Sequence, residues 1–193
     1  LMLVTDDRLL AGRDPVAVAR AAVAGGVTAV QLRLKEASAR ELTALAIRLR
    51  EALPVPVLVN DRPDVAAVAG CGVHLGPDDL PVALARRLLP PGAIIGASVG
   101  SPAEVAGNEG ADYWGVGPWR VTSTKADAGA AIGVEGFQAV VRVAGGKPCI
   151  AIGAIRPEDR ADVMAAGGAG IAVVSGILGG DDVAAQARRY SVG

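Results

Sequence analysis

Short β-type runs alternate with Ala-rich helical segments along the whole chain, and this rhythm restricts the possible folds more than any other feature. Eight strand-like runs can be drawn: LMLVTD at 1–6, AVQLRL at 29–34, VPVLVN at 55–60, GVHLG at 72–76, IIGASV at 94–99, DYWGVG at 112–117, CIAIG at 149–153 and GIAVVS at 170–175. Between them lie PVAVARAAVAGG, ARELTALAIRLREAL, PVALARRLL, SPAEVAGNEG and RPEDRADVMAAGG, several opened by Pro or Ser and closed by Gly. Such alternation with apolar strands predicts an α/β fold in which helices cover a parallel sheet. A count of eight predicts closure into one compact (β/α)8 TIM barrel spanning 1–193. The rival is an open doubly wound sheet, but no GxGxxG follows the first strand.

Composition removes several function classes. Hydrophobic residues are 51% and charged residues 20% of the 193, which excludes a disordered chain. Nineteen Lys plus Arg against twenty Asp plus Glu leave a net charge of -1, so the chain has no broad footprint for nucleic acid or an anionic membrane. No apolar run approaches the ~18 residues of a spanning helix, and LMLVTDD reaches charge too soon for a secretory signal. A soluble, cytoplasmic protein is expected. Cys71 and Cys149 are isolated, as core or strand-end thiols are, and small barrels often associate into homo-oligomers.

In a barrel, functional groups belong at the C-terminal ends of strands and in the loops beyond them. In the second strand Gln31, Arg33 and Lys35 alternate with Leu32 and Leu34, so the polar set faces inward. Inward cations need anions, either a ligand or a permanent internal salt bridge. The third strand ends in Asn60 and Asp61, and Asp78 and Asp79 follow the fourth. Carboxylates from neighbouring strand ends can share one divalent cation, magnesium being the natural candidate, or can serve as helix caps. His74, the single histidine, reads as a core or supporting residue. Ser98 can donate to an anion or satisfy nearby backbone.

The stretch GVGPWRVTSTKADAG at 115–129 is too long and polar for a plain connector. Gly115 and Gly117 let the backbone leave the strand, and Thr122, Ser123 and Thr124 collect hydroxyls beside Lys125, a set suited to phosphate. GAI at 153–155 and VSGI at 174–177 occupy the loops after strands seven and eight, where this fold commonly cradles phosphate.

These segments resemble the thiamine phosphate synthase family over essentially the whole chain: LVTD at 3–6, QLRLK at 31–35, NDR at 60–62, GVHLGPDD at 72–79, IIGASV at 94–99, TSTKADAG at 122–129 and VVSGI at 173–177. The resemblance implies small phosphorylated substrates, 4-amino-2-methyl-5-hydroxymethylpyrimidine diphosphate and hydroxyethylthiazole phosphate, joined with loss of diphosphate. It places the pyrimidine diphosphate on Gln31, Leu32, Arg33, Leu34, Lys35, Asn60, Ser98 and Lys125. Mg2+ falls to Asp61 and Asp79. The thiazole phosphate falls to Thr122, Ser123, Thr124, Gly153, Ala154, Val174 and Ser175. Arg33, Lys35, Ser98 and Lys125 become the catalytic set, stabilising a leaving diphosphate in a reaction that passes through a carbocation and removes no proton.

The chain also departs from the family pattern. Ala154 stands where a second glycine is usual, keeping the N–H donor but disfavouring positive φ. Trp119, Arg120 and Val121 replace an aliphatic, aromatic and proline triplet, which either reshapes the pocket or lets Arg120 reach a phosphate. Leu34 replaces a common Glu on the outward face. Two alternatives are a thiazole tautomerase of the same fold and a noncatalytic phosphate-ligand binder. The tautomerase branch carries a His after the serine of the fifth strand, where this chain has Val99 and Gly100.

Overall fold

The computed structural model describes residues 1–10, 12–121 and 129–191. Its strands run parallel in chain order as a closed barrel: β1 (Met2–Val4), β2 (Ala29–Leu32), β3 (Val57–Asn60), β4 (Gly72–Leu75), β5 (Ile95–Val99), β6 (Tyr113–Val116), β7 (Cys149–Ala151) and β8 (Gly170–Val173). Closure comes from β1, which pairs with β2 on one side and with β8 on the other. Every strand is shorter than its sequence run, and residues left beyond the C-terminal ends, such as Arg33, Gly153 and Ser175, line the cavity instead.

The outer layer comprises α1 (Asp7–Leu10), α2 (Pro15–Ala24), α3 (Ala39–Ala52), α4 (Pro63–Ala69), α5 (Val82–Leu88), α6 (Gly133–Val143), α7 (Asp159–Ala165), α8 (Ser175–Leu178) and α9 (Val183–Ser191). Local chemistry sets several ends. Asp14 accepts from the N–H groups of Val16 and Ala17 to start α2, with Pro15 in its first turn. Ser38 and Glu41 form a reciprocal capping box on α3, and Gly70, left-handed at φ 67°, stops α4. The helix expected in SPAEVAGNEG is instead a 3-10 turn, Pro102–Val105. Gly107 follows at φ 85°, and the segment offers too few apolar residues to cover the sheet. Among the described residues no helix is long and apolar enough to cross a membrane.

Period-two alternation divides the apolar residues between two cores. Leu3, Val30, Leu32, Val59, Val73, Leu75, Ala97 and Val116 face the helices. Met2, Val4, Leu58, Tyr113 and Ala172 form a smaller cluster inside the barrel, with Ile94, Ile150 and Ile152 against it. Space inside is shared unequally. A Cβ on Gly96 would lie 2.2 Å from Cζ of Tyr113, and one on Gly115 would lie 2.9 Å from Cε1 of His74. Two strands therefore give up a side chain so that their neighbours can place an aromatic ring in the lumen. Gly96→Ala should lower the unfolding free energy by about 3 kcal/mol, the upper part of the usual overpacking cost, because the Tyr113 ring, buried and held against His74, must move. Chemical denaturation with an unchanged m-value would register it.

Candidate functional site

A cavity of about 520 Å³ opens where the strands end. Gln31, Arg33, Lys35, Asn60, Asp61, Asp79, Ser98, Gly153, Ala154, Val174 and Ser175 all line it, so side chains up to 144 positions apart converge on one rim. Leu32 and Leu34 are not in that lining. Leu32 is fully buried in the outer core and Leu34 packs against it, as their place on the opposite face of the strand requires. Thr122, Ser123, Thr124 and Lys125 lie outside the described residues.

The cationic side of the rim is built by the chain leaving β1. The Thr5 hydroxyl accepts from the Arg33 N–H at 2.8 Å and donates to the Arg33 carbonyl at 3.1 Å. The Asp7 carboxylate accepts from the backbone of Lys35 and Glu36. Asp6 sits 3.3 Å from the Arg33 guanidinium, with both side chains mostly buried. The internal salt bridge weighed from sequence is thus present, and Arg33 still faces the cavity. Asp6 holds the guanidinium in place without occupying all five of its donors.

The next two strands, β3 and β4, supply two carboxylates. Asp61 leaves β3 in a left-handed conformation, φ 63°, fixed by its N–H donating to the His74 carbonyl at 2.8 Å. Asp79 is anchored by the Gly76 N–H at 2.6 Å, a loop contact rather than a helix cap. Burial, then the hydrogen bond and charge of Asp79, push the Asp61 carboxyl up to about 6, against the opposing pull of Asn60 and Lys35. Backbone strain and like-charge repulsion are thus concentrated at one point of the rim. Among the described residues no cluster of three or more His, Cys, Asp or Glu side chains assembles, so two hard-oxygen ligands are what this site offers a cation. That set suits a divalent ion that completes its shell with water and phosphate oxygens.

At the floor, His74 lies between Tyr113 and Ser98, its Nδ1 2.9 Å from the phenol oxygen and its Nε2 3.0 Å from the serine oxygen. Tyr113 carried no signal as a site residue in the sequence. The available clue was that Tyr113, Gly115 and Gly117 share one face of the sixth strand, a single large polar residue among glycines. Glu104, from the segment expected to be helical, also reaches the rim, accepting from the Gly100 N–H at 2.8 Å and the Ser101 hydroxyl at 2.9 Å.

The loop after β6 begins later than the sequence suggested. Gly115 is still in the ladder, and Gly117 precedes a cis bond to Pro118. A Cβ on Gly117 would meet the Ile152 carbonyl at 2.2 Å, so close approach to β7 demands this glycine, not departure from the strand. Trp119 is buried edge-on to Phe137, their ring centroids 5.7 Å apart. Arg120 does not turn to the cavity. It makes a two-pronged ion pair with Asp159, a buried carboxylate that also accepts from the Arg156 N–H at 2.7 Å. Beyond β7, Gly153 and Ala154 are both left-handed, at φ 107° and 47°. The alanine therefore adopts the conformation its Cβ disfavours, at a cost of about 1–2 kcal/mol, and its methyl is exposed to the cavity mouth. Cys71 and Cys149 are both buried, which pushes their thiols up and leaves them outside the site.

Residues 1–177 match the family model described as thiamine monophosphate synthase. Thiamine-phosphate synthase of Chloroflexus aurantiacus is 49% identical over 195 aligned residues, covering 98% of this chain and 89% of that protein. The Azorhizobium caulinodans thiamine-phosphate synthase is 51% identical, covering 97% and 91%. Among solved structures, thiamine phosphate pyrophosphorylase from Pyrococcus furiosus superimposes with a TM-score of 0.86 at 36% identity, covering 98% of this chain and 92% of that one.

Asp159 gives a pH-dependent test of the Arg120 pairing. Burial alone would raise its carboxyl, but the hydrogen bonds from Arg120 and Arg156 outweigh that and hold it below the ordinary range. Stability gained from a depressed carboxyl is complete above the unfolded value of ~3.9 and fades as pH falls through the lower folded one. Arg120→Ala should destabilise by about 2 kcal/mol at pH 7, less than a fully buried pair because the guanidinium is partly exposed. Urea titrations should find this gap narrowing below pH 4.

Proposed function

The chain belongs to the thiamine monophosphate synthase family, and from that premise we propose that it condenses 4-amino-2-methyl-5-hydroxymethylpyrimidine diphosphate with hydroxyethylthiazole phosphate, giving thiamine monophosphate and diphosphate. The observation that carries the reading is the meeting of Arg33 and Lys35 with Asp61 and Asp79 around one cavity of about 520 Å³, in a chain related to these synthases along its length. The chain acts as one barrel domain over 1–193 in the cytoplasm.

The reaction needs position and charge more than acid–base chemistry. The bond between the pyrimidine methylene and the diphosphate oxygen breaks, its electron pair leaves with diphosphate, and the aminopyrimidine ring delocalises the cation that remains. The thiazole nitrogen lone pair then forms the new carbon–nitrogen bond, and no proton is removed. Arg33 and Lys35 face the region where negative charge accumulates; Thr5 and Asp6 fix the Arg33 backbone and guanidinium and Asp7 fixes the Lys35 backbone, which limits reorganisation during the reaction. Asp61 and Asp79 would hold magnesium, whose chemistry there is to neutralise charge on the departing diphosphate. Asn60 and Ser98 contribute polar contacts from the β3 and β5 ends. Lys125 and the hydroxyls of Thr122, Ser123 and Thr124 are assigned to the two phosphate groups on family resemblance. Gly153, Ala154, Val174 and Ser175 offer a small-residue cradle for the thiazole phosphate, with Leu32 and Leu34 supporting their strand from behind. Val99 and Gly100 follow Ser98, so the acid–base histidine of the tautomerase branch is not supplied at that position.

Incubation with both substrates and magnesium should yield thiamine phosphate and diphosphate in equal amounts. Asp61→Asn tolerates the left-handed backbone and removes one charge from a pair that opposes itself. Turnover should fall at least ~100-fold, equivalent to ~2.7 kcal/mol of transition-state stabilisation. Stability without magnesium should rise by about 1 kcal/mol above pH 6, where the raised Asp61 carboxyl would otherwise be ionised. Wild-type turnover by this variant at saturating substrate would refute the metal assignment, and absence of thiamine phosphate from the wild type would refute the reaction.

A further inference from the structure

Four polar side chains on β2, β4, β5 and β6 form a continuous line along the cavity floor, which Gln31, His74 and Ser98 all line. Gln31 reaches the Tyr113 phenol, which is 2.9 Å from His74 Nδ1, while His74 Nε2 is 3.0 Å from the Ser98 hydroxyl. Gln31, Tyr113 and His74 are buried, whereas Ser98 is partly open. His74 is level with Gly96 on β5, and Gly96 is level with Tyr113 on β6. The two rings can meet across β5 only because residue 96 has no side chain.

The chemistry of the two ends gives this line a direction. Gln31 turns its amide nitrogen toward this end of the lumen, 3.9 Å from the Met2 sulfur that the phenol also approaches, so it meets the phenol oxygen as a donor. The phenol proton then has two destinations within reach, the imidazole nitrogen at 2.9 Å and the Met2 thioether at 4.0 Å. The nitrogen is the stronger acceptor by far. An Nδ1 that accepts requires the neutral ring to carry its proton on Nε2, which donates to the serine oxygen. The serine proton is thereby turned away from His74, on a residue that lines the cavity.

We propose that Gln31, Tyr113 and His74 form a one-way hydrogen-bond relay that fixes the Ser98 hydroxyl as a donor into the cavity, with His74 and Tyr113 as positioning residues for the condensation. This rests on the proposed reaction only for its kinetic consequence. Ser98 touches the substrate; His74 and Tyr113 act through it. Any acceptor at that spot, a diphosphate oxygen or a ring nitrogen of the pyrimidine, meets a hydroxyl that is already oriented, so no rotor must be frozen during turnover.

Because His74 is the single histidine, 15N-histidine labelling of the untagged protein reports one imidazole. At pH 8, above the ordinary imidazole pKa of ~6.5, the expected spectrum is the neutral tautomer with its proton on Nε2 and a bare Nδ1. A proton on Nδ1, or on both nitrogens, overturns the relay. Tyr113→Phe keeps the ring and removes the phenol oxygen. It should lower kcat about tenfold while leaving the KM for the pyrimidine diphosphate within about threefold, and it should cost less than twofold when Ser98 is already alanine. An equal loss in both backgrounds would mean that Tyr113 acts by packing alone, and would also overturn the proposal. If the wild type forms no thiamine phosphate but the Nε2 tautomer is found, the reaction fails and the relay stands.

Discussion

Everything at the rim depends on the ladder between β1 and β8. Once Met2 and Leu3 pair with Ala172 and Val173, the sheet has no edge, and all its strands must deliver their C-terminal ends to one opening. Groups separated by more than a hundred residues then meet without a long loop to carry them. The same closure limits the interior volume, so each large side chain pointing inward must be matched by a small one beside it. The site is therefore constrained twice, first by where the strands stop and then by what the lumen has room to hold.

The electrostatic layout follows from that geometry. Arg33 is neutralised at rest by Asp6, so the barrel can hold an inward cation without a ligand present. Asp61 has no comparable relief, since burial and the neighbouring Asp79 raise the cost of ionising it. Arg33 is thus satisfied by the chain itself, whereas the carboxylates at one point of the rim are poised for an external charge. That asymmetry suits an enzyme that must release a highly charged product, because a rim saturated with unpaired cations would retain diphosphate.

Much of this was legible in the residues. Alternation of strand-like and helical runs gave the barrel, and period two in QLRLK separated Gln31, Arg33 and Lys35 from Leu32 and Leu34. The weak points were those where a residue's partner is distant in sequence. Arg120 resembled a phosphate ligand because Asp159, thirty-nine positions away, could not be identified as its partner. Tyr113 passed for an ordinary strand residue because nothing local reveals that it lies beside a glycine on the neighbouring strand. The segment after β5 looked helical from its opening Ser-Pro and closing Gly, yet the turn there closes after Val105. Ala154 is a different case: the conflict between its Cβ and the backbone was visible beforehand, and the chain accepts that conflict rather than avoiding it.

The unequal sharing of the lumen also bears on how this sequence can drift. Residues 74, 96, 113 and 115 fill one volume from three strands, so a methyl gained at either glycine has to be offset by atoms lost from a neighbouring ring. Made one at a time, such exchanges pass through a chain with a clash or a void at this level of the barrel. The floor of the barrel is for that reason a single steric unit: substitutions on the exposed helical faces leave it untouched, while a change of volume at any of these four positions has to be answered at another.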